Sequence, residues 1–117
     1  MRPKILFPTD LGPLGEKARL SAAHLAKMMT AELVVMHSLE KHNKLVRLIS
    51  GEDFEAEKKE AETKLQEYAT ALSVEGGIPV SSLIWEGTPA DSIVESAEEI
   101  KADLISDSYF TRSCNIR

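Results

Sequence analysis

Three short stretches carry residues that could do chemistry. The first, Pro8-Thr9-Asp10, closes the apolar run Ile5-Leu6-Phe7. Asp10 could accept hydrogen bonds from a ribose or from loop amides, or it could do no more than organise the turn. The second, His37-Ser38, closes another apolar run, Leu33 to Met36. An extended backbone there could pair with the edge of a base, while His37 reads as a half-buried imidazole satisfied within the fold. The third, Glu86-Gly87-Thr88-Pro89, follows the run Val80 to Trp85. Gly87 permits close approach of a ligand, or permits only the turn. Trp85 could stack on a ligand, although a lone tryptophan at a strand end more often packs.

Other chemistries lack their residue sets. His24, His37 and His42 show no metal-ligand spacing, and no Cys or second His accompanies His24 at i+3 or i+4. The sequence contains no G-x-S-x-G elbow, no Walker loop and no G-x-G-x-x-G. Cys114 has no evident base beside it, and a single cysteine makes no internal disulfide. The expectation is a protein that is not an enzyme and needs no metal.

The elements that must position the three stretches follow from periodicity. Ile5–Phe7, Leu33–Met36, Val80–Trp85 and Leu104-Ile105 are short apolar runs without polar alternation, the pattern of strands buried on both faces. Between the first two, Ala18, Ala22, Leu25 and Met29 recur at helical spacing from Glu16 onward. Phe54, Ala61, Leu65, Tyr68 and Leu72 mark one face of a long second helix, with Glu60 and Lys64 in the favourable i, i+4 order and Gly76-Gly77 as its stop. The glutamates of that helix, from Glu55 to Glu67, read as a solvated face. Thr88-Pro89-Ala90-Asp91 announces a third helix, with Thr88 as cap, Pro89 in the first turn and Asp91 returning the capping bond; its inner face is expected at Ala90, Ile93, Val94, Ala97 and Ile100. The order β-α-β-α-β-α-β predicts a parallel sheet with helices on both faces. Ligands on such sheets sit beyond the carboxyl ends of the strands, near the point where strand order reverses. All three stretches fall at such ends.

The chain has 117 residues, 43% apolar and 28% charged, with a net charge of −5, which fits one domain at most. That charge argues against a nucleic-acid backbone as partner. No run approaches the length of a membrane span, and the N-terminus MRPKILFPTD lacks a secretory signal, so the expected location is cytoplasmic.

Together the stretches resemble the universal stress protein family. KILFPTDLGPLGEKARLSAAHLAKMMTAELVVMHSLE looks like its first strand, helix and second strand, and EGTPADSIVESAEEIKADLI like its third loop, third helix and fourth strand. The resemblance implies a three-layer, Rossmann-like α/β fold of the adenine nucleotide α-hydrolase-like kind. The family's parallel sheet runs 3-2-1-4-5. Many members bind ATP or another adenine nucleotide; others bind none and act through dimerisation and partners. By resemblance, Asp10 contacts the ribose side of a nucleotide, Pro8 and Thr9 shape the pocket, the backbone around Ser38 faces the adenine, and Gly87 lines it.

The resemblance stops after Ile105. Nucleotide-binding members continue with Gly-x-x-Gly and, further on, Gly followed by Ser or Thr, a loop that cradles phosphates. Ser108 and Thr111 stand in the places of the first two glycines. Residues 1–105 are therefore expected to form an incomplete domain of sheet order 3-2-1-4, truncated or frameshifted, without the family's fifth strand and last helix. Residues 106–117 are expected to form an atypical tail. The functional expectation is a stress-response protein with a residual adenine-nucleotide pocket; the alternative is a protein-interaction module that binds no nucleotide. Either way strand four is left as an edge, and a second copy or a protein partner is expected to cover it.

Overall fold

A computed structural model describes residues 2–9, 16–39, 54–106 and 111–113. The strands are β1 (Lys4–Pro8), β2 (Glu32–Leu39), β3 (Val80–Glu86), β4 (Leu104–Ser106) and β5 (Thr111–Ser113); the helices are α1 (Glu16–Met29), α2 (Phe54–Gly76) and α3 (Pro89–Ile100). The sheet runs β3-β2-β1-β4-β5. The first four strands are parallel, in the expected order 3-2-1-4.

Residue alternation along β1 and β2 divides the core. Ile5, Phe7, Leu33 and Val35 face α1 and α2, and Leu6, Val34 and Met36 face α3. On the first face α1 contributes the buried alanines Ala18, Ala22, Ala23 and Ala26, small enough to bring the helix close to the sheet. Phe54, Leu65 and Leu72 of α2 are buried, as the sequence spacing predicts; Ala61 and Tyr68 are only partly buried, and Ala69 joins the buried set. Glu60 and Lys64 meet at 3.1 Å on its solvated side.

On the other face α3 is rotated from the expected orientation. Ala90 is exposed and Val94 is 48% exposed, whereas Ser92 and Ser96 are buried with Ala97. Ile93 and Ile100 pack against the core as expected. The serines fit against the sheet because they are small, and the wider Val94 turns to solvent.

β2 and β3 outrun their apolar runs. Their register continues through His37↔Ile84 and Ser38↔Trp85 to Leu39↔Glu86, so backbone pairing carries the polar residues into strand geometry. At the opposite edge the tail supplies a strand after all. β5 lies antiparallel on β4, with Ser106↔Thr111, Ile105↔Arg112 and Leu104↔Ser113 in register. It occupies the fifth place in the sheet, yet it is a short return and not a parallel strand. β4 is thus not the edge the sequence led us to expect.

Two helices end on strained caps. α1 closes with Ala31 N–H donating to the Ala26 carbonyl at 2.8 Å, and α3 closes with Ala102 N–H donating to the Ala97 carbonyl at 2.9 Å. Both motifs need a left-handed residue, and the positions are held by Thr30 (φ 53°) and Lys101 (φ 57°). Only α2 has glycine there, Gly77 at φ 62°. Thr30→Gly and Lys101→Gly should each stabilise the protein by about 0.5–1 kcal/mol after the entropy of glycine is offset, with the β-branched Thr30 giving more. Urea unfolding checks this; an unchanged or lower midpoint in both variants would show that the caps are not strained.

Candidate functional site

The carboxyl end of the sheet gathers the predicted residues on adjacent strands. Pro8 ends β1, opposite Met36 in β2. One step on, Thr9 N–H donates to the Met36 carbonyl at 2.8 Å. His37 then reaches back: its Nδ1 lies 2.9 Å from the Thr9 carbonyl oxygen, so the bond requires the tautomer with hydrogen on Nδ1. Thr9 is therefore held at both its amide and its carbonyl, and the imidazole Nδ1 is satisfied within the fold. Its part in holding Thr9 depends on a contact across 28 residues, which spacing does not reveal. Asp10 lies outside the described residues.

Pro8 has a second consequence. Along β1, Lys4 directs its N–H and C=O toward β4, donating to Asp103 Oδ2 at 2.9 Å and accepting from Asp103 N–H at 2.8 Å. By alternation Leu6 and Pro8 also direct their backbone toward β4. Proline has no N–H to give, and the β1–β4 register ends at Leu6↔Ile105. The seam between β1 and β4 stops there. It is also the point at which strand order reverses, since β2 and β3 lie on one side of β1 and β4 on the other.

Ser38 lies half-buried on β2, two residues past the last β1 partner. Glu32 N–H and the Met36 carbonyl both face β1, so alternation turns the Ser38 N–H and C=O to that same side, beyond the end of β1. Its side chain shares a sheet face with Met36 and therefore with α3. On the far side, Gly87 N–H donates to the Leu39 carbonyl at 3.1 Å, which ties the β3–α3 turn to the end of β2. Pro8, Thr9, Ser38 and Gly87 thus stand together at one end of three adjacent strands.

Gly87 is required there. Its φ of +148° suits glycine alone, and a Cβ would meet Ser92 Oγ at 3.1 Å. Thr88 and Pro89 start the helix that follows as the sequence predicts: Thr88 is extended, its hydroxyl accepts from Asp91 N–H at 3.4 Å, and Pro89 occupies the first turn. Trp85 lies partly buried against the α3-side core, and its indole N–H donates to Glu95 at 2.9 Å. Lys58 of α2 bridges to Glu86 at 3.2 Å. The hydrogen bond that Lys58 donates to Glu86, and then the negative charge of Glu86, raise the Lys58 pKa above the ordinary 10.5, so the ammonium stays charged through neutral pH and the tie loses its cation only as pH rises beyond that value. Among the described residues no group of three His, Cys, Asp or Glu side chains could hold a metal ion, and no helix is long and apolar enough to cross a membrane.

This arrangement can present backbone amides and carbonyls, a fastened Thr9 and a side-chain-free glycine to a flat, hydrogen-bonding ligand. Comparisons agree on the class of protein that builds it. The sequence model of the universal stress protein family matches residues 1–106, and the chain belongs to that family. Universal stress protein Sll1654 of Synechocystis sp. is 33% identical over 104 residues; the match covers 86% of this chain, which spans 62% of that protein's length. The structure superposes on universal stress protein UspA from Lactobacillus plantarum with a TM-score of 0.73 at 20% identity, covering 92% of this chain and 77% of the other. It also superposes on the universal stress protein from Archaeoglobus fulgidus in complex with dAMP, with a TM-score of 0.63 at 22% identity, covering 90% of this chain and 78% of that one. At those identities the two structures establish the shared fold.

Gly87→Ala should destabilise the chain by about 1–3 kcal/mol, part from the backbone angle and part from the contact with Ser92 Oγ. Adding Ser92→Ala should recover only the steric part. Equal unfolding midpoints for wild type and Gly87→Ala would contradict this account of the turn.

Proposed function

We propose that this chain is a stress-response protein that binds an adenine nucleotide at the carboxyl ends of β1, β2 and β3, and acts by binding rather than by catalysis. The observation that supports the reading is the convergence of Thr9, the Ser38 backbone and Gly87 on the place where the β1–β4 seam stops. A peptide N–H and C=O side by side, as at Ser38, match the acceptor and donor on the edge of an adenine ring. Asp10 extends this set toward the ribose by its family resemblance, as do Pro8 and Thr9. The Archaeoglobus fulgidus relative with bound dAMP makes an adenine nucleotide the natural candidate.

The phosphates receive less from this chain. Thr111, which stands where the family carries a glycine of the phosphate loop, pairs with Ser106 in the β4–β5 ladder. A strand residue held in that ladder does not turn its amide to a phosphate as a glycine-rich loop does. The same observation favours the second reading, an interaction module without nucleotide that pairs with another copy or a protein partner.

Calorimetric titration with ATP, AMP and adenosine separates the two. The first reading expects micromolar binding, comparable for all three ligands, abolished by Asp10→Ala and accompanied by no hydrolysis of ATP. Silence across the panel would leave the interaction module, and turnover of ATP lost with Asp10→Ala would make the protein an enzyme.

A further inference from the structure

Two serines lie one turn apart on the buried face of α3, and they behave differently. Ser96 follows the usual habit of a serine inside a helix: its hydroxyl donates to the carbonyl of Ser92, four residues back, at 2.5 Å. Ser92 could do the same with the Thr88 carbonyl, which instead accepts only the Ser92 backbone N–H, at 2.9 Å. The Ser92 side chain is fully enclosed, with 0% exposure, and its oxygen has no hydrogen-bond partner among the described residues. It lies against the Gly87 turn, 3.1 Å from the point where a side chain on Gly87 would begin. An enclosed hydroxyl without a partner destabilises a fold, and alanine would fill the same space without that cost.

We propose that Ser92 is a specificity-determining residue of the nucleotide site, its hydroxyl taking its missing hydrogen bond from the nucleoside portion, base or sugar, of a ligand seated at Gly87. The inference rests on the nucleotide reading and adds a residue and a ligand moiety to it. Position supports it, because α3 lies on the face of the sheet that Pro8 and Ser38 share, and Gly87 is tied to Leu39 beside Ser38. Charge selects the moiety. Glu86 ends β3 and Asp91 sits in the first turn of α3, so two carboxylates flank the turn. Lys58 pairs with Glu86 and offsets that charge, so the opposition to a phosphate rests on Asp91. A hydroxyl both donates and accepts, which suits a base edge or a sugar hydroxyl. A Cβ on Gly87 would come within 3.1 Å of Ser92 Oγ, and the freedom of glycine lets the Glu86–Thr88 turn shift to admit the contact.

The test uses the full chain as Ser92→Ala, with Ser96→Ala as control, and reads both the unfolding midpoint without ligand and the affinities for adenosine, AMP and ATP. Ser92→Ala should keep or raise the midpoint while weakening all three ligands by roughly fivefold to tenfold, the effect of one hydrogen bond. Ser96→Ala should lower the midpoint and leave the affinities unchanged. A lower midpoint in Ser92→Ala would overturn the inference, since the hydroxyl would already have a partner. So would unchanged affinities, or a loss confined to ATP, which would place the contact at the phosphates. Wild-type silence toward all three ligands would overturn the nucleotide reading and this inference with it. Wild-type binding matched by Ser92→Ala would overturn this inference alone.

Discussion

The candidate site is set by a strand, β1, that cannot continue its ladder. Pro8 directs its missing N–H toward β4 at the step where the next sheet hydrogen bond would form, and the register between those strands ends at Leu6↔Ile105. On the other side β2 runs on past its last β1 partner, through Ser38 to Leu39. One strand stops while its neighbour continues, and the backbone of that neighbour turns to the side of β1 beyond its last paired residue. That end coincides with the reversal of strand order, where the helices flanking the central strand diverge to opposite faces.

The remaining structure holds this mismatch in place. Thr9 is fastened through its amide to Met36 and through its carbonyl to His37, so the chain leaves β1 in a fixed direction. At the amino end, Asp103 takes the Lys4 N–H on its side chain and returns its own N–H to the Lys4 carbonyl, fixing β4 against β1 where the seam begins. The alanine face of α1 lets that helix lie close on the sheet. On the opposite face α3 is aimed by its Thr88 cap, and Gly87 turns the chain there at an angle other residues resist. The strands thus present backbone groups at their carboxyl ends, held by contacts at both ends of β1.

Much of this was legible in the sequence, for physical reasons that differ by element. The three inner strands and three helices follow from apolar runs and helical spacing, because burial enforces both. The Thr88-Pro89 start of α3 follows from capping chemistry, which is local. The facing of α3 did not follow: hydrophobicity assigns Ala90 and Val94 inward, but close packing on the sheet selects the small Ser92 and Ser96. The lengths of β2 and β3 depend on each other's register, and β5 depends on β4, so neither was readable from a single segment. The pairing of His37 with Thr9 and the unpartnered Ser92 hydroxyl are likewise long-range or three-dimensional facts. Pro8, Thr9, Ser38 and Gly87 were legible as strand-end residues and as family markers; their common setting around a halted seam emerged only in the fold.

The central claim is that the halted β1–β4 seam is the binding site. Residue-resolved amide NMR during titration with AMP tests it most directly. The account predicts that the largest shifts fall on the amides of Thr9, Ser38 and Gly87, with the Trp85 indole, two residues from Gly87, responding more weakly. Shifts centred on the amino ends of the strands, around Lys4, Glu32 and Val80, or no shifts at saturating AMP, would contradict it.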